Sequence, residues 1–153
     1  MTTFTESTLE RHCRRYREKD LLPAVVDPLS RRIMLHIGAA YGAVTMPTEL
    51  GESVLQRLRV AGIAGPVFAH PRALRWTFLT GPTRHDEFPA TAAAELFRRY
   101  TTVAGTGSQI VLPSAEDELS GYRLWVAGPD ALGTRPPQQA VIDAVCEAGR
   151  RGR

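Results

Sequence analysis

Around a single turn, residues 70–76 (HPRALRW) gather an imidazole, two guanidinium groups and an indole: His70, Arg72, Arg75 and Trp76. Guanidinium forks match the oxygens of phosphate or carboxylate, and an aromatic face can stack on a base. These four residues are therefore a candidate nucleotide- or nucleic-acid-binding group. The plainer alternative is an exposed turn with solvated arginines, with Trp76 in the core or an interface.

Other chemistry-bearing stretches carry less. His85-Asp86-Glu87 holds three metal-ligating types, but adjacent loop residues do not converge easily on one ion, and no Cys/His spacing follows. Glu116-Asp117-Glu118 reads as a solvated hairpin loop. Gly105-Thr106-Gly107 lacks the third glycine of a dinucleotide fingerprint, because Ile110 stands in its place. The chain has no G-x-S-x-G elbow, and no glycine loop precedes Lys19, which excludes a Walker A site. No metal and no cofactor are expected.

The candidate turn must be held by a β-hairpin. Val67 to Ala69 form an apolar run between Gly65-Pro66 and Pro71, and Leu74, Trp76 and Phe78 then alternate with Arg75, Thr77 and Leu79. Upstream, Ser7 and Glu10 form a capping box for a helix over 7–20 with Leu9, His12, Cys13 and Tyr16 on one face. Strands are predicted at 24–27, 32–37 and 41–46. Pro47 opens a helix whose stripe is Leu50, Val54, Leu58 and Ala61, and Gly62 stops it. Thr91 caps a further helix with Ala93, Leu96, Phe97 and Tyr100 inward. Extended structure follows at 101–104, then strands at 109–112 and 122–127. Pro136-Pro137 opens a last helix with Val141, Ile142, Val145 and Cys146 inward. Over 41–112 the order strand, helix, strand, strand, helix, strand, with 109–112 as the last strand, is a split βαβ unit. The fold class is α+β, an antiparallel sheet with helices on one face.

Length and composition agree with a globular domain. The chain has 153 residues, 43% hydrophobic and 23% charged, enough for a single core over residues 1–149. No apolar run reaches the roughly 20 residues of a membrane span. The N-terminal residues show no signal-peptide apolar core, which predicts a cytoplasmic protein with reduced thiols at Cys13 and Cys146. The net charge of +3 is matched by Arg150, Arg151 and Arg153 alone, so residues 1–149 are formally neutral. The basic excess is a tail at 150–153, and any loose DNA binding belongs there.

The stretch GTGSQIVLPSAEDELSGYRLWV, residues 105–126, resembles the N-terminal domain of bifunctional DNA primase/polymerases of bacteria, plasmids and phages. The features are Gly105 and Gly107, the apolar run Ile110 to Leu112, Pro113-Ser114, then Gly121, Tyr122 and Trp125. GAVTMP, residues 42–47, is similar to the family's first strand-to-helix step, and GPVFAHPRALRWTFL to its hairpin. The resemblance covers about residues 41–146 and implies an RRM-like core.

It also implies a lost active site. The family's acidic pair falls on Thr45 and Pro47, its later aspartate on Thr102, and its phosphate-contacting histidine on Trp76. No carboxylate lies between Asp27 and Glu49, and threonine and proline supply no hard anionic ligand for Mg²⁺. Trp76 then either fills the former nucleotide pocket or is core. The expectation is a catalytically degenerate primase/polymerase-like module that binds a nucleotide, single-stranded nucleic acid or a protein partner. The alternatives are an active nucleotidyl transferase with an atypical site, and a structural partner subunit or homodimer.

Overall fold

A computed structural model describes residues 7–84, 86–129 and 135–151. Helix α1 (Thr8–Glu18) starts at the expected capping box. The Ser7 hydroxyl accepts from the Glu10 amide at 3.1 Å, and the Glu10 carboxylate accepts from the Ser7 amide at 3.4 Å. Three strands follow, β1 (Ala24–Asp27), β2 (Arg32–His36) and β3 (Gly42–Pro47). Helix α2 (Thr48–Val60) ends beside Gly62, whose φ of 74° is the left-handed conformation that suits glycine.

The hairpin consists of β4 (Val67–His70) and β5 (Arg75–Thr80), joined by a 3₁₀ turn over Pro71–Ala73. Leu74 does not begin the second strand as expected. It takes φ 55° and is 70% exposed, because its amide closes the turn on the Pro71 carbonyl. Its own carbonyl accepts from the Thr48 amide at 3.0 Å, which fastens the hairpin to the start of α2.

The remaining elements are α3 (Ala90–Arg98), β6 (Thr102–Val103), β7 (Gln109–Leu112), α4 (Ala115–Ser120), β8 (Leu124–Ala127) and α5 (Gln138–Arg151). The fold is α+β, with two antiparallel sheets. The larger has the order β6-β3-β5-β4-β8 and the smaller β1-β2-β7. Within the larger, β3-α2-β4-β5-α3-β6 is the split βαβ unit. Its last strand is corrected: β6 fills that place, and residues 109–112 leave for the second sheet. A turn redirects the chain, with the Ser108 amide on the Gly105 carbonyl and Gly107 at φ 89°. The Ile37 amide and carbonyl then bond to Ser108 and Gly107, which starts the pairing of β7 with β2.

Each face of the larger sheet is covered. Val44, Met46, Val67 and Phe78 bury one face with Val54, Leu55 and Leu58 of α2, Leu96 of α3 and Val141, Ile142 and Val145 of α5. On the other face Phe68 and Leu79 form a second cluster with Cys13 and Tyr16 of α1, Ile33, Leu35 and Leu112. Two expectations fail here. Phe97 and Tyr100 are 83% and 75% exposed and Ala93 is also exposed, because α3 offers only Leu96 to the core. Tyr100, at φ 54°, already belongs to the turn into β6. The acidic stretch 116–118 is not a hairpin loop but lies in α4, capped by Ser114 and Asp117. The basic stretch at 150–153 is in part the end of α5, while residues 152–153 lie outside those described. Among the described residues no helix is long and apolar enough to cross a membrane.

Trp76 lies on the helix side, half-buried against the first core cluster. A Cβ at Gly51 of α2 would stand 2.8 Å from the Trp76 ring. Gly51→Ala therefore overpacks this contact, a cost of about 1–3 kcal/mol, against a helix-propensity gain of about 1 kcal/mol. Urea unfolding is expected to show a net loss of stability in the wild-type background and a gain in the Trp76→Ala background. Equal effects in both backgrounds would contradict the packing.

Candidate functional site: a cavity on the sheet face

Strand alternation decides which side chains share a face. Cross-strand partners give one row, Thr102, Thr45, Thr77, Phe68 and Trp125, on β6, β3, β5, β4 and β8 in that order. A second row is Pro47, Arg75 and His70. Both rows lie opposite α2, α3 and α5. Together with Ile110 and Val111 of β7 they border an open cavity of about 290 Å³. Its lining includes Thr45, Thr77, His70, Arg75 and Arg123 as polar groups, and Phe68, Ala73, Ile110 and Val111 as apolar ones. The volume lies at the lower end of small-molecule sites.

Of the four candidates, His70 and Arg75 line this cavity. Arg72 is exposed on the turn, its guanidinium 5.6 Å from the Tyr122 ring centre. Trp76 points to the opposite face and does not fill the cavity, since it alternates with Arg75 and Thr77. Thr45 and Thr102, the two positions matched to acidic residues, are direct cross-strand partners at this face. His85 of the weak metal motif lies outside the described residues, and Asp86 and Glu87 are exposed. Among the described residues no three His, Cys, Asp or Glu side chains are grouped to hold a metal ion.

The donor chemistry is that of an anion site. The Arg75 Nη2 donates to the carbonyls of Thr45 at 3.2 Å and Tyr100 at 2.7 Å. These neutral acceptors fix the guanidinium and leave its charge. The Thr45 and Thr77 hydroxyls are 3.0 Å apart. Arg123 is 7% exposed, and its Nη1 donates to Asp117 of α4 at 3.0 Å. The Arg123 Nε is buried and has no acceptor, which ordinarily costs about 1–3 kcal/mol. No carboxylate lines the cavity. Neutral hydroxyls, a proline and two guanidiniums do not fit the Mg²⁺ that the family resemblance implies.

Arg123 is the cavity residue that no sequence pattern singles out. It precedes β8 by one position, and only the pairing of β8 with β4 brings it beside His70. Its ion pair comes from an acidic run that looked like solvated surface. No protein-family model, characterised protein or solved structure matches the chain.

Burial first, and then the Arg123 guanidinium, hold the His70 imidazole below its ordinary value of 6.5; Asp117 opposes this and Arg75 adds to it. His12 is also lowered, chiefly by burial. The unfolded chain protonates these groups near 6.5 while the fold resists, so their contribution is complete above that pH. It is lost as pH falls through the folded values. The urea midpoint should therefore drop between pH 7 and pH 5, and His12→Gln with His70→Gln should flatten that slope. An unchanged slope in the double variant would contradict these environments.

Proposed function

We propose that this chain is a non-catalytic, primase/polymerase-like binding module that takes a nucleotide or similar anionic ligand on its sheet face without a metal. A single observation carries the reading: the sheet-face cavity is lined by two guanidiniums, two hydroxyls and an imidazole, and by no carboxylate. Phosphoryl transfer by a two-metal route needs anionic oxygens that clamp the ions. The chemistry here suits the opposite charge, an oxyanion bound directly by nitrogen and hydroxyl donors. The family resemblance adds the register, because Thr45 and Thr102 stand together where it expects acidic groups. A cytoplasmic location belongs to the same proposal, with Cys13 and Cys146 outside any disulfide.

Isothermal calorimetry with a nucleoside triphosphate, in EDTA and in Mg²⁺, tests this reading. Binding of similar strength in both is expected, together with no primer synthesis on a template in Mg²⁺ or Mn²⁺. Binding that requires Mg²⁺, or template-dependent extension abolished by a point substitution, would overturn it.

A further inference from the structure

Arg123 is a buried guanidinium at the cavity wall, stacked 4.7 Å from the centre of the Tyr122 ring. It is buried, one of its nitrogens is held by Asp117, and its Nε has no acceptor. Buried guanidiniums are ordinarily paired and fully hydrogen-bonded. The neighbouring Arg75 is bound only by carbonyls, so the cavity holds more positive charge than the single Asp117 carboxylate offsets. The apolar part of the wall is Phe68, Ala73, Ile110 and Val111. Ile110 and Val111 of β7 line one side of this cavity of about 290 Å³.

We propose that Arg123 anchors a small organic oxyanion, with the oxyanion against the two guanidiniums and a short apolar body along Phe68, Ile110 and Val111. The inference rests on the sheet-face reading above and narrows its ligand. A phosphate monoester and a carboxylate share the required chemistry, as both present oxygens in the spacing of a guanidinium fork. Asp117 competes for the same guanidinium. It occupies Nη1 when the cavity is empty of ligand and sets the affinity by how firmly it holds.

The test uses the full chain with four probes: inorganic phosphate, phenyl phosphate, benzoate and a nucleoside monophosphate. Binding is read by calorimetry and by the Arg123 Nε–Hε NMR resonance, assigned through its side-chain carbons. Phenyl phosphate or benzoate should bind more tightly than inorganic phosphate and shift that resonance. Whichever of the two binds identifies the oxyanion. Arg123→Lys keeps a charge for Asp117 but lacks the guanidinium fork, and should weaken binding at least tenfold. Asp117→Asn should tighten it several-fold, an opposite sign that loss of structure would not give. The resonance is read on the unsubstituted chain, so the proposal stays testable if either variant fails to fold. Probe binding with an unmoved Arg123 resonance, or undiminished in a folded Arg123→Lys, would overturn the anchor and leave the sheet-face reading intact. A chain that binds the nucleoside triphosphate but none of the four probes would also overturn only this inference. A chain that binds none of these anions would overturn both.

Discussion

The Tyr16 hydroxyl joins three parts of the chain that are distant in sequence. It donates to the Pro113 carbonyl at 2.5 Å and accepts from the Trp125 indole N–H at 2.9 Å. The Trp125 ring in turn packs edge-on against Tyr16 and Phe68, with ring centres 6.0 and 5.5 Å apart. Through this junction α1, the exit of β7 and the edge strand β8 are fixed to the larger sheet. Burial raises the Tyr16 pKa well above its usual range, so the hydroxyl keeps its proton and its donor role. A second polar tie comes from the Tyr41 hydroxyl, which donates to the Leu21 carbonyl at 3.0 Å. With the Tyr16 junction, β7 crosses the sheet face at one height, and the space left beneath becomes the cavity.

This layer changes what the split βαβ unit can do. A sheet with helices on one face normally leaves the other face free for a ligand. Here half of that face is sealed by apolar packing around Phe68 and Leu79. The remainder is a small cavity whose hydroxyl groups come from Thr45 and Thr77. Guanidiniums supply its positive charge. With Thr45, Thr77, Arg75 and Arg123 in its lining, the cavity suits an anion better than a cation. His70, held neutral by burial and by Arg123, adds a hydrogen-bonding group without further repulsion.

Locally determined features were legible in the sequence. The Ser7–Glu10 capping box, the stripe of Val54 and Leu58, the Pro66-to-Phe78 hairpin and the terminal helix each depend on residues a few positions apart. Features set by distant pairing were not. Residues 102–103 and 109–112 both read as extended, and only competition between β3 and β2 for partners decides which strand joins which sheet. The α3 stripe failed because a short helix at the sheet edge buries one residue, not four. At the cavity, His70 and Arg75 could be singled out because they flank the hairpin turn. Trp76 stayed open between pocket and core, because alternation gives two faces without saying which one the helices cover. Arg123 and its partner Asp117 are brought to the cavity by β8 and α4, and no local pattern announces either.

The central claim is that the sheet face, narrowed by β7, binds an anion without a metal. The most direct measurement is a titration of the ¹⁵N-labelled full chain with a nucleoside triphosphate in EDTA, followed by backbone amide shifts. The account predicts shifts gathered on both layers of the cavity, at Thr45, His70, Arg75, Thr77, Ile110 and Val111, with α2 and α5 unmoved. Shifts confined to α2 and α5, or shifts that arise only after Mg²⁺ is added, would contradict it.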